Sequence, residues 1–220
     1  MSTPLFTDAE RDAIRVAVAE AETRTAGEIV PYVVRRSGTY QVAVWRAASF
    51  GALLTALVML GVAALYDGWG LGWMYSAGWM AMAMTIGGVA GAFLGAYVAP
   101  LRRQLAGADR IDLHVHRRAA EAFLEEEVFD TRDRTGILLF VSLFEHRIEV
   151  VGDVGINAKV EPEEWVEVVG LVRDGIRSDG LAAGLVAAVE RCGDLLHRRG
   201  VEIREDDTDE LADDVRVRDE

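Results

Sequence analysis

Hydrophobic and polar positions change rhythm several times along the chain. Ile14, Ala17, Val18 and Ala21 recur at three- and four-residue spacing behind Thr7-Asp8-Ala9-Glu10. That spacing predicts an amphipathic helix opened by a capping box, in which Thr7 accepts from the Glu10 amide and Glu10 reaches back. Gly27 stops the helix, and Glu28–Val34, "EIVPYVV", reads as a strand in which Pro31 removes one ladder bond. The rhythm is then lost in apolar sequence. From Ala47 to Tyr66 no residue is charged, and after Asp67 none is charged from Gly68 to Leu101. A bilayer core takes about 20 residues of helix. The first run therefore predicts one membrane span, and the second predicts one span plus a connecting loop. Trp69, Trp73, Tyr75 and Trp79 cluster between the spans, where amphipathic rings suit the headgroup level.

Periodicity returns after the second run. Ile111–Val128 reads as a helix with Ala119, Ala120, Phe123 and Leu124 towards one side. Gly136–Leu143 and Arg147–Val151 are rich in β-branched and aromatic residues and predict two strands, with Phe144-Glu145-His146 short enough for a hairpin. Pro162 marks the start of a helix bearing Trp165, Val168, Val169, Val172 and Ile176 and closed by Gly180. A last helix carries Leu185, Val189, Cys192 and Leu196 inward and ends at Gly200. One strand ahead of the apolar runs cannot fold alone, so it must pack with the later elements. The expected fold is α/β: a small mixed sheet covered by helices and interrupted by a two-helix transmembrane hairpin. Residues 1–40 and 110–200 form the two parts of the α/β domain, 45–101 the hairpin, and 201–220 a tail.

Charge adds orientation and removes one class of partner. The net charge is −13, and the tail alone holds ten acids against three arginines, which predicts a solvated, disordered segment. So acidic a chain does not suit nucleic acid, whose affinity depends on neutralised phosphates. Arg35, Arg36 and Arg46 precede the hairpin, Arg102, Arg103 and Arg110 follow it, and the loop between the spans carries no Lys or Arg. The positive-inside rule then places both termini in the cytoplasm of a multi-pass membrane protein. The N-terminus "MSTPLFTDAERD" shows no cleavable signal peptide. Gly87, Gly91 and Gly95 share one helix face and allow close approach, either by the first span or by a second copy in a homo-oligomer.

Strand direction gathers two sets of candidates. If Glu28–Val34 lies parallel to Gly136–Leu143, the membrane-proximal end collects Arg35, Arg36, Arg46, Arg102, Arg103 and Arg147 with His146. Each arginine near an anionic surface contributes on the order of 1 kcal/mol. The distal end collects Glu28, Asp130, Asp133 and Asp153, with Glu161 near. Ca²⁺ is the candidate ion to relieve their repulsion, and the competing reading is separate acids or partners for Arg132 and Arg134. No catalytic residue is assigned. His114 and His116 are two apart on a helix and point to opposite sides. Ser142, near Glu145 and His146, lies inside a strand without a G-x-S-x-G elbow. Cys192, the only cysteine, lies on an apolar face and has no disulfide partner. No glycine-rich phosphate loop is present.

The stretches "TGILLFVSLFEHRIEVVGDVGI" and "WVEVVGLVRDGIRSDGLAAGL" resemble the TPM domain of YgcG-like bacterial membrane proteins and thylakoid-lumen proteins. The resemblance rests on Thr131, Gly136-Ile137-Leu138, Ser142, Glu145, Gly152-Asp153-x-Gly155 and Trp165, and it covers Phe6–Arg36 and Ile111–Arg199. It implies a small mixed sheet covered by helices and a place in the bacterial inner (cytoplasmic) membrane, with LemA-type envelope proteins as candidate partners. Some lumenal relatives are described as acid phosphatases, and some bind calcium. The function expected is a membrane-anchored binding or scaffold module, cation-dependent if the acidic end holds Ca²⁺. The alternative is a metal-dependent, phosphatase-like hydrolase.

Overall fold

The computed structural model describes residues 4–65, 72–178, 180–203 and 210–219. The chain divides into two compact units, Met1–Gly38 with His114–Glu220, and Thr39–Leu113.

The first unit is built on a four-stranded mixed sheet. Its strands are β1 Glu28–Val34, β2 Gly136–Ser142, β3 Arg147–Gly152 and β4 Arg216–Arg218, in the order β3-β2-β1-β4. β1 runs parallel to β2 in register from Glu28↔Gly136 to Val34↔Ser142, and β3 returns antiparallel to β2. Every residue of β1 and β2 is buried, as parallel strands covered on both faces require. On one face Ile29, Val33, Ile137, Leu139 and Val141 join the core with helices α1 (Asp8–Glu22), α7 (Trp165–Arg177) and α8 (Leu181–Arg198). The capping box of α1 forms between Thr7 and Glu10. Strand alternation sends Tyr32 and Phe140 to the other face, where their rings stack 5.7 Å apart. Helix α5 (Ala108–Glu125) covers them from His114 onward, with Arg118 Nη2 donating to the Tyr32 hydroxyl at 2.8 Å. It ends earlier than periodicity suggests because the chain turns out through Glu127 at φ 52°.

The acidic tail is not wholly unstructured, contrary to the expectation for 201–220. Its end forms β4, parallel to β1 with Tyr32↔Arg216 and Val34↔Arg218. Val215 is buried and Val217 packs on the core. Arg216 and Arg218 each lie 3.1 Å from the buried-side carboxylate of Glu126. Composition foretold a solvated segment, but two valines and two arginines on alternating positions suffice to add an edge strand.

The second unit contains α2 (Gln41–Leu65), a short 3₁₀ turn (Gly72–Tyr75), α3 (Ala77–Tyr97) and α4 (Ala99–Ala106). α2 and α3 are 25 and 21 residues long, with mean hydropathy 2.2 and 1.5 in their most apolar windows, and both are long and apolar enough to cross a membrane. Phe50, Leu54, Leu57, Ile86, Val89 and Phe93 are each more than half exposed. The glycine stripe packs inside the chain: a Cβ at Gly91 would lie 2.2 Å from the Ala47 carbonyl oxygen, and Gly87 and Gly95 also face α2. That contact takes up the surface that spacing alone also allowed for a second copy. Trp73 and Trp79 meet edge to face at 5.0 Å. Asp67 and Trp69 lie outside the described residues.

Within the first unit, a Cβ on Gly38 would lie 2.9 Å from His114 Nδ1, so the two cut ends of this unit are neighbours. Replacing 39–113 by a short Gly/Ser linker is expected to leave a soluble domain that melts cooperatively by circular dichroism. A broad, non-cooperative melt would show that the first unit does not fold by itself.

Candidate functional site

The C-terminal end of the parallel pair is where the chemistry concentrates. β1 ends at Val34 and is followed by Ser37, while β2 ends at Ser142 and turns through Leu143–His146 into β3. His146 takes φ 54°, and its N–H donates to the Leu143 carbonyl at 3.3 Å. The turn places the Glu145 carboxylate inside the protein, 2% exposed. A buried carboxylate is costly unless its oxygens are satisfied. The Ser37 N–H donates to Oε1 at 2.9 Å, and the Ser142 hydroxyl donates to Oε2 in a short hydrogen bond. The Ser37 and Ser142 oxygens are 2.7 Å apart. Because the Ser142 hydroxyl donates to Glu145, the Ser37 hydroxyl is the donor between the two serines. Ser142 is 1% exposed. This is a polar tie joining the ends of β1 and β2, not an accessible nucleophile.

Beside it, a cavity of about 730 Å³ lies between the β2–β3 turn and α7. Leu143, Ile148, Val169 and Ile176 form its apolar wall, Arg147, Arg173 and Arg177 supply its charge, and His146 also lines it. Arg173 and Arg177 are four residues apart on α7, so one helix face carries both. Other arginines of the same unit are committed to carboxylates. Arg191 lies 2.5 Å from Glu167 and Arg199 2.5 Å from Glu164. These hydrogen bonds hold both carboxyls below the ordinary carboxylate range.

At the opposite end of the sheet, the strand directions do bring the starts of β1 and β2 and the end of β3 together. The four predicted cation ligands nevertheless do not assemble there. Asp153 accepts from the Val154 N–H at 2.7 Å, capping the short helix α6 (Val154–Asn157), and its other oxygen lies 2.6 Å from Arg134 Nε. The Glu28 oxygens accept from the backbone N–H groups of Glu210 and Leu211 at 3.3 Å each. Asp130 and Asp133 are exposed. Among the described residues no three acids, histidines or cysteines converge as a metal-binding group. The Gly-Asp-x-Gly turn serves packing instead. A Cβ on Gly155 would lie 2.5 Å from the Asp133 carbonyl oxygen, and its N–H donates to the Arg134 carbonyl at 2.9 Å.

The arginines assigned to a membrane surface are divided between the units. In the first, Arg35 lies 3.1 Å from Asp219, Arg36 follows β1, and Arg147 opens β3 and lines the cavity. In the second, Arg46 Nη1 donates to the Leu105 carbonyl at the C-terminus of α4 at 2.7 Å, and Arg102 and Arg103 lie on α4. Sequence reasoning missed Ser37, Arg173 and Arg177. The four-residue spacing of the two arginines was visible, but nothing in it indicated the β2–β3 turn across from them. The two histidines part as expected: His116 Nδ1 is 2.6 Å from Glu149, and His114 lies against Gly38. Cys192 is fully buried, and burial pushes its thiol pKa up to about 12.

No family model matches the chain, and no curated protein matches it. Among solved structures it is similar to the NMR structure of the BA42 protein from the psychrophilic bacterium Bizionia argentinensis. That match has a TM-score of 0.60 and 18% identity and covers 99% of each chain. At this identity the likeness is one of fold.

Glu145→Ala would strand the Ser37 N–H and the Ser142 hydroxyl, and should lower the stability of the first unit by about 3 kcal/mol in chemical denaturation. Ser142→Ala, which leaves the Ser37 contact, should cost less. The Cys192 thiol has its folded pKa raised from 9.0 to about 12. Its contribution to stability is therefore complete below pH 9 and is lost as pH rises from 9 towards 12, because the unfolded thiol ionises first. Denaturation series from pH 8 to pH 10.5 should show a shallower alkaline decline for Cys192→Val than for the wild type. In native protein at pH 8 the thiol should resist maleimide.

Proposed function

We propose that this chain is a TPM-like α/β binding module held at the inner membrane of a bacterial cell by an α2–α3 hairpin, with both termini in the cytoplasm. The observation that carries the reading is the exposed apolar surface of α2 and α3. Helices of 25 and 21 residues whose large side chains stay outward need an apolar medium around them. The orientation rests on the arginines that flank the hairpin and on their absence from the loop between the spans. The fold likeness to BA42 extends over 99% of the chain, and the sequence resemblance to the TPM domain concerns the α/β unit.

A binding role is favoured over hydrolysis by what the candidate groups are doing. Ser142 donates a hydrogen bond to a buried carboxylate, Asp153 caps a helix and pairs with Arg134, and Glu28 holds the returning tail. Each of these groups is engaged in holding the fold, while the cavity beside α7 is open and basic. Envelope proteins of the LemA type are the partner class that the resemblance suggests.

Topology reporters test the placement. A reporter active only outside the cytoplasm should work when fused at residue 67, and one active only inside should work at residue 220. An external signal from the C-terminal fusion would overturn the proposed orientation.

A further inference from the structure

The cavity between the β2–β3 turn and α7 has charge to spare in a chain that is short of positive charge. Acids outnumber bases 36 to 23, and most arginines described in the first unit are drawn to a carboxylate. Arg118 meets Glu125, Arg134 meets Asp153, Arg191 meets Glu167, Arg199 meets Glu164, and Arg216 and Arg218 share Glu126. Arg173 and Arg177 depart from this pattern. Among the described residues neither makes a hydrogen bond or an ion pair, and both face a cavity of about 730 Å³ that Arg147 and His146 also line. Two guanidinium groups four residues apart on a helix repel each other. Such an arrangement is stabilised by an anion.

The lining narrows the class of anion. A carboxylate presents two oxygens and suits one arginine fork, whereas a phosphate presents more oxygens and up to two charges and can serve several forks at once. Leu143, Ile148, Val169 and Ile176 offer apolar wall next to the charge. The place also suits a ligand, since open sheets with parallel strands bind in the crevice beyond their C-terminal strand ends, and Ser142 at the end of β2 lines this cavity.

We propose that the cavity bounded by Arg147, Arg173, Arg177 and His146 binds a phosphate group joined to an apolar body, with the phosphate on the arginines and the apolar part against Val169 and Ile176. The proposal names the ligand class of the binding module inferred above and rests on that reading. It does not depend on the orientation in the membrane. The phosphate can come from a soluble ester or from a lipid headgroup, and the two sources are separable.

The test uses the full chain in nanodiscs of zwitterionic phosphatidylcholine, with thermal unfolding followed under phenyl phosphate, inorganic phosphate or phenol. Phenyl phosphate should raise the melting midpoint by several degrees, more than inorganic phosphate at equal concentration, and phenol should not raise it. A ligand that binds only the folded state at a hundredfold excess over Kd stabilises it by roughly 2.7 kcal/mol. Arg173→Gln combined with Arg177→Gln alters two exposed side chains and removes their mutual repulsion, so it should leave the unliganded midpoint no lower than that of the wild type and remove the shift. Arg191→Gln, whose arginine is bound to Glu167, should keep the shift. If phosphatidic acid is added to the nanodiscs and phenyl phosphate then gives no further shift in the wild type, the source is the lipid. If the shift persists, the source is soluble. Equal responses from the wild type and the double variant, or equal effects of phenyl phosphate and phenol, would overturn the proposal. Release of phosphate from phenyl phosphate that the double variant loses would keep the pocket and overturn the binding-only reading.

Discussion

The parallel pairing of β1 with β2 is the constraint on which the rest depends. The two strands are separated in sequence by the whole apolar insertion, yet they align over seven residues from Glu28↔Gly136 to Val34↔Ser142. Neither strand is stable alone, and a parallel neighbour always requires a long crossover. Closing a long flexible loop costs only about 0.6 kcal/mol for each doubling of its length. Here the insertion is a compact unit of its own, which shortens the effective loop further. The burial of all fourteen positions in the two strands supplies the opposing gain. Once the pair is set, β3 follows by a short turn and β4 finds a free edge beside β1.

Each end of that pair is closed by buried acid. Glu145 at one end and Glu28 and Asp153 at the other are 2%, 7% and 5% exposed. All three accept backbone N–H groups, from Ser37, from Glu210 and Leu211, and from Val154 respectively. Strand ends and helix starts leave N–H groups without partners, and a carboxylate is a strong acceptor for them. Acids at the ends of a sheet can thus be structural even when their clustering in sequence suggests a cation. Here they are spent on chain connections: Glu145 ties β1 to the β2–β3 turn, Glu28 ties β1 to the tail, and Asp153 ties β3 to α6 and Arg134.

With the acids committed, the functional surface shifts to the bases. The cavity beside α7 is made by elements that meet only in the folded chain: the turn after β2, the start of β3 and the outer side of α7. Among the described residues Arg173 and Arg177 make no hydrogen bond or ion pair, and an external anion is a group that fits between them.

Local pattern by itself determined most of the elements. Three- and four-residue spacing in α1 and α8, the β-branched and aromatic content of β2 and β3, and the unbroken apolar runs of α2 and α3 each follow from burial on one face, both faces or all round. The pairing of β1 with β2 and of β2 with β3 also followed, since a strand-helix-strand unit is parallel and a short turn makes a hairpin, whereas β4 did not. The tertiary structure alone decided which charged groups were free. Asp153 was read as a ligand, yet it sits within reach of Arg134 and the Val154 amide, and the tail read as solvent-borne docks through Val215, Val217 and Glu126. Arg173 and Arg177 were plain surface residues until α7 was laid against the β2–β3 turn. Periodicity records how much of a residue is buried. Which polar group it meets depends on distances between segments far apart in the chain, and those exist only after folding.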